Sequence, residues 1–204
     1  ILATTYGFPI ELTEELAKEK GIKIDSADFD KKMAEHQKLS KDSSVGMFKG
    51  GLANHHKGTI RLHTAHHLLL ASLQAIVSRD IKQRGSNITE ERLRMDFVCD
   101  HILTDEEKKN VEDWVNDKIK QELDVVYKEM PLAEAEKLGA EMEFGAKYPE
   151  VVSVYIVEDK NGNAISKEFC GGPHVSNTSE LGHFKIQKEE AVASGIRRIK
   201  AILE

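Results

Sequence analysis

The longest coherent apolar signal covers residues 60–81, where Leu62, Ala65, Leu68, Leu69, Leu73 and Ile76 recur at helical spacing and predict the main core helix. A turn is expected at Gly85-Ser86. Beyond it, Arg92-Leu93-Arg94-Met95-Asp96-Phe97 alternates strictly between charged and apolar residues, the period of a strand with one face buried. Thr104-Asp105-Glu106-Glu107 has the form of a capping box and opens a long helix through Val111, Trp114, Val115 and Ile119. Val125-Val126-Tyr127 predicts another strand, Pro131 starts a short helix at its favoured first position, and Gly139 stops it. Segments 151–157 and 164–169 flank Asp159-Lys160-Asn161-Gly162-Asn163, a hairpin signal, and two last strands are expected near 182–186 and 196–202. One long helix, a second amphipathic helix and about six strands in mainly antiparallel order predict an α+β fold, a sheet packed against long helices as a two-layer sandwich.

Upstream, Thr13-Glu14-Glu15 begins a short amphipathic helix that Gly21 ends, and Ser26 caps another carrying Phe29, Met33 and Leu39. Ser43-Ser44, Gly46, Gly50-Gly51 and Gly58 then break the pattern. The expected organisation is a helical appendage over 1–41, a linker over 42–59 and the main domain over 60–204. The chain opens on Ile1, in sequence that already looks ordered, so it reads as a piece of a longer protein. Its 204 residues suffice to bury a core without staples.

Composition narrows the function classes only modestly. No apolar run is long enough to suggest a membrane span. With only Cys99 and Cys170, and no targeting signal, a disulfide framework is not expected and a reducing, cytoplasmic setting is. A net charge of −6 argues against a nucleic-acid binder on composition alone. Bases nevertheless gather at Arg79/Lys82/Arg84, at Arg92/Arg94 and at Arg197/Arg198/Lys200, which leaves room for a local basic patch.

The candidate chemistry sits in two distant motifs. His63 and His67 stand four apart on the core helix, so both imidazoles project from one face. Cys170 and His174 have the same separation in Cys170-Gly171-Gly172-Pro173-His174, which cannot be regular helix and reads as a loop folding back. Three nitrogens and one thiolate form a tetrahedral zinc set, each motif supplying half. His63/His66 is an alternative pair on the same helix, His55-His56 falls in a loop, and His183 falls in a strand pattern outside the ligand set. A zincin protease is disfavoured because Thr64 stands where its general-base glutamate would be.

These residues also carry a family likeness over almost the whole chain. His63-Thr64-Ala65-His66-His67-Leu68-Leu69, Gln83-Arg84-Gly85-Ser86, Arg92-Leu93-Arg94-Met95-Asp96-Phe97, Cys170-Gly171-Gly172-Pro173-His174-Val175, Gly182-His183-Phe184-Lys185-Ile186 and Gly195-Ile196-Arg197-Arg198-Ile199 follow one another as in alanyl-tRNA synthetase editing domains. The segment 5–13 resembles the stretch leading from the synthetase's tRNA-recognition region into its editing domain, which favours a synthetase piece over a free-standing editing protein. Pro173 replaces the family's usual Thr and resembles the related threonyl-tRNA synthetase editing domain; Val98-Cys99 replaces the usual Ser-His, and the segment before the core helix is short.

The resemblance implies a zinc-containing hydrolase acting on the ester of a mischarged tRNA(Ala), chiefly seryl with glycyl as a second candidate. Its partners would be the tRNA(Ala) acceptor end and the rest of the synthetase. It also implies that Gln83 and Ser86 line the pocket and that Thr64, beside the first ligand, meets the serine hydroxyl. Turn chemistry in Gln83-Arg84-Gly85-Ser86 is the plainer alternative for the first two. Four protein ligands fill a tetrahedral site, so the ion is expected to hold the site and substrate rather than activate water. The competing function is a zinc-stabilised tRNA-binding module without turnover.

Overall fold

A computed structural model describes residues 10–22, 28–29, 31–32, 52–142 and 148–204. The chain divides into two compact units, 1–46 and 47–204. In the first, α1 spans Ile10–Glu19 and Gly21 follows it with φ +69°. The helix expected after Ser26 lies largely outside the described residues.

The second unit runs α2 (Lys57–Ile76), β1 (Gln83–Ile88), β2 (Leu93–Val98), α3 (Asp105–Lys120), β3 (Asp124–Pro131), α4 (Leu132–Lys137), β4 (Val151–Glu158), β5 (Ala164–Phe169), a 3-10 turn (Thr178–Leu181), β6 (Phe184–Ala193) and β7 (Ile196–Leu203). Two antiparallel sheets form, in the orders β1-β2-β7-β6 and β3-β4-β5. The fold is therefore α+β, with seven strands in two sheets among the described residues where about six were expected.

The alternation in β2 has the anticipated cause. Leu93, Met95 and Phe97 enter the core beneath α2 and α3, while Arg94 and Asp96 take the opposite face. Register aligns Arg94 with Lys200 and Asp96 with Arg198, so two of the basic clusters share that outer face. Arg198 donates to both Asp96 oxygens at 2.6 and 2.8 Å. Thr104 and Glu107 close the expected capping box on α3.

Three local expectations change. The core helix ends at Ile76, not near 81, and Ile81 is buried from the loop beyond, where its carbonyl accepts from Gln74. Gly85-Ser86 is strand, not turn: both belong to β1, with an irregularity between Gln83 and Gly85. Pro131 is the last residue of β3 and the cap of α4, one position earlier than predicted. Gly139 does stop α4, with φ +70° that suits a residue without Cβ.

What positions the functional residues is α2. Leu62, Ala65, Leu68, Leu69 and Leu73 pack with Val111 and Val115 of α3 and with Met95, Phe97 and Ile199 of the four-stranded sheet. The helix also contacts β5 and the 3-10 turn. Enclosed in this way, it buries even its polar residues: Thr59, His63, Thr64, His66 and His67 are all inside. Arg61 donates to the carbonyls of Glu180 (2.8 Å) and Leu181, tying the segment after the Gly-Gly loop to the helix.

Candidate metal centre

The structure brings both motifs together. Donor atoms of His63, His67, Cys170 and His174 all lie within 4.8 Å of one another. Cys170 Sγ is 3.4 Å from His63 Nε2 and 3.3 Å from His174 Nε2. Metal–nitrogen bonds of about 2.0–2.1 Å and a metal–sulfur bond of about 2.3 Å imply nitrogen–sulfur edges of roughly 3.5 Å in a tetrahedron. The spacing fits.

The opposite ring nitrogens show why each Nε2 points inward. His63 Nδ1 donates to the Pro173 carbonyl at 3.1 Å, and His67 Nδ1 donates to the Glu168 carboxylate at 2.7 Å. His174 Nδ1 lies 3.0 Å from the Thr64 hydroxyl, which accepts from the Val175 N–H and lies 3.4 Å from the Ile60 carbonyl. A proton on each Nδ1 leaves each Nε2 lone pair for the cluster, the outer-partner arrangement found around metal-bound histidines. His67 Nε2 is buried without a hydrogen-bond partner, as a nitrogen shaped for an ion would be.

Burial, reinforced by neighbouring imidazoles, holds the pKa values of His63 and His174 well below the ordinary histidine value, so both are neutral ligands. Burial opposes charge on His67 too, but Glu168 and Cys170 outweigh it and push its pKa up to about 10.

The alternative pair His63/His66 is not what forms. His66 stands outside the donor group and its pKa falls to about 3, through burial first and then repulsion from His67. His56 pairs with Glu90 at 2.6 Å, and His183 is exposed just before β6. The pair that the helix spacing marks, His63 and His67, is the one whose donors fall within the group; His66, His56 and His183 lie outside it.

A pocket opens beside the cluster, lined by His63, His66, His67, Gln83, Glu168 and Cys170 among others. Gln83 is thus on the wall, from the first residue of β1. Ser86 is not among the lining residues; it sits farther along β1, paired with Met95. Thr64 is fully buried, its hydroxyl occupied by His174 and Val175, so it orients a ligand instead of facing a substrate hydroxyl.

Two acidic lining residues went unnoticed in the sequence. Glu141 stands at the rim, held by Lys82 at 2.7 Å, and had no motif to mark it. Glu168 did have a signal: it lies two positions before Cys170 at an inward position of β5, where a carboxylate is costly unless paired. Ser166 donates to it at 3.2 Å. Glu168→Ala is expected to weaken metal affinity about 10–100-fold, because His67 loses the partner that fixes its orientation. Titration against a competing chelator measures this; unchanged affinity would show that the pair only fills space.

The comparisons with known proteins agree with this architecture. The cluster-bearing hairpin and C-terminal strands define a class: residues 152–200 match the threonyl and alanyl tRNA synthetase second additional domain. Residues 1–90 match the class II (A) tRNA synthetases. Over 202 residues the chain is 54% identical to an alanine--tRNA ligase of Borrelia garinii subsp. bavariensis, covering 99% of this chain and 33% of that protein. A second, from Treponema denticola, is 50% identical over 203 residues, covering 100% and 33%. A third, from Thermus thermophilus, is 46% identical over 147 residues, covering 72% and 17%. The chain belongs to the alanine--tRNA ligase family, and it spans about a third of the length of the first two of these relatives.

Proposed function

We propose that this chain is an editing region that hydrolyses the ester of Ser-tRNA(Ala), with Gly-tRNA(Ala) as a second substrate, around a zinc ion held by His63, His67, Cys170 and His174. The observation that carries the reading is the joining of a three-nitrogen, one-sulfur donor set to a polar pocket in a chain of this family. Zinc fits a buried set of imidazoles and one thiolate better than magnesium or calcium, which prefer oxygen. When bound, the ion supplies a Lewis acid that can polarise or orient a group of the aminoacyl ester. His63, Cys170 and His174 fix the Gly-Gly loop to α2, Thr64 and Glu168 hold ligand rings in position, and Gln83 offers an amide from the pocket wall. With four protein donors in place, we assign the centre to substrate orientation and not to generation of the attacking hydroxide.

The organisation follows the same reading. We assign residues 1–41 to the end of a tRNA-recognition region, 42–59, whose last three residues already form the first turn of α2, to the connection, and 60–204 to the editing domain; the partners are the tRNA(Ala) acceptor end and the remainder of the synthetase. No helix among the described residues is long and apolar enough to cross a membrane. Cys99 and Cys170 are both free, which suits the reducing cytoplasm in which we place the protein.

Incubating the chain with Ser-tRNA(Ala) and Ala-tRNA(Ala) tests the proposal. Selective loss of the seryl ester, abolished by Cys170→Ala, is expected. Binding of tRNA with no deacylation at high protein concentration would favour a metal-stabilised binding module instead, a role that a completed four-ligand site also suits. Within the same assay, Gln83→His should lower kcat/KM about tenfold or more with metal content unchanged, the cost of losing one positioned hydrogen bond. Unaltered activity would return Gln83 to a purely structural place in β1.

A further inference from the structure

Helix α2 carries one imidazole that the metal centre leaves unused. His66 is 3% exposed, yet neither Nδ1 nor Nε2 has a hydrogen-bond partner. Buried polar groups are nearly always paired, and an unpaired one destabilises the fold, so such a group points to something missing from its surroundings. His66 contributes no donor to the cluster, but its ring meets that of His67 edge-on with centroids 5.9 Å apart, and it lines the same pocket.

Apart from the Gln83 amide, the other polar side chains on that wall are engaged or belong to the metal cluster. His67 Nδ1 binds Glu168, Glu168 also accepts from Ser166, and Glu141 is held by Lys82. Thr64, the hydroxyl beside the first ligand, is committed to His174 and Val175. Beside the Gln83 amide, the hydrogen-bonding capacity on this wall that is not turned toward the metal cluster belongs to His66, a buried ring with both nitrogens unpaired.

We propose that His66 is the specificity residue that reads the hydroxyl on the acyl side chain of the substrate. A neutral imidazole carries one N–H donor and one nitrogen acceptor, and an alcohol can answer either. This inference rests on the pocket being the aminoacyl-ester site. A seryl group satisfies the ring when it binds; an alanyl or glycyl group leaves the buried ring unpaired, which makes glycine the weaker of the two proposed editing substrates. Selection of this kind works by the penalty on the substrate that lacks the polar group, so it separates serine from alanine although serine is the larger.

Binding of non-hydrolysable, amide-linked seryl- and alanyl-adenosine to the metal-loaded chain is the direct test, since it does not depend on turnover. The wild-type chain should prefer the seryl compound about 10–100-fold. His66→Leu should reduce that preference to within about twofold with metal content unchanged, and His66→Gln, which restores a donor and an acceptor, should recover most of it. The inference is overturned if the wild type shows no preference, if His66→Leu keeps it, if His66→Gln loses it as fully as the leucine variant, or if either substitution empties the metal centre. A chain that shows the preference and its loss in His66→Leu but does not cleave Ser-tRNA(Ala) would support His66 as the hydroxyl reader and remove only the hydrolytic reading.

Discussion

His63→Ala is expected to reduce the metal content from about one ion per chain to nearly none and to lower the melting temperature by about 10 °C. His63 sits at the centre of the joint: its Nε2 faces Cys170, its Nδ1 holds the Pro173 carbonyl, and its ring stacks on His174 with centroids 4.1 Å apart. Removing it deletes a ligand and also frees the loop that carries the other half of the set. Metal bound to the native chain and not to the unfolded one adds directly to stability. A loss of several kcal/mol corresponds to about 10 °C for a domain of this size, at roughly 2–4 °C per kcal/mol. Metal analysis and thermal melts of wild type, variant and chelator-treated wild type check it together. The variant and the chelated wild type should melt at similar temperatures. Full metal occupancy in His63→Ala would remove the histidine from the ligand set.

The parts of this architecture that could be read from the sequence are those whose cause is local. The alternation of Arg92 to Phe97 shows because β2 has one buried and one charged face, and the box at Thr104 shows because both of its hydrogen bonds lie within four residues. The two candidate ligand pairs show for the same reason, since the members of each stand four positions apart and only their meeting is long-range. Misreadings arose where tertiary structure supplied the partner. Helix α2 is enclosed on several sides, so its apolar residues do not mark where it stops, and buried Ile81 in the following loop extends the pattern falsely. Gly85-Ser86 carries turn-forming residues but is drawn into β1 by pairing with Asp96 and Met95. Thr64 could not be aimed from sequence: whether its hydroxyl faces the pocket or His174 depends on where a loop 110 positions away comes to rest.

Gly172→Ala should cripple the metal centre while Gly171→Ala leaves it intact. Both glycines sit in the same loop, and neither has a positive φ, so backbone freedom does not separate them. Space does. A Cβ on Gly172 would stand 2.5 Å from His63 Cε1 and 3.0 Å from its Nδ1, with Leu52 Cδ1 at 3.3 Å, whereas a Cβ on Gly171 would meet nothing within 4 Å. The imidazole has little freedom to retreat, because the Pro173 carbonyl fixes one nitrogen and Cys170 faces the other. Either the ring turns away from the ion or the loop lifts, taking Cys170 and His174 out of line. Overpacking of this sort costs about 1–3 kcal/mol, and here the strain falls on the ligand geometry. A drop of about 10–100-fold in metal affinity is therefore expected for Gly172→Ala and less than about twofold for Gly171→Ala, read by chelator competition on the two purified variants. Equal effects would mean that the Gly-Gly pair serves loop flexibility. The expected inequality would show that the second glycine is there to let a backbone pass against the face of a ligand ring, which ties the loop motif to the helix motif sterically as well as through the shared ion.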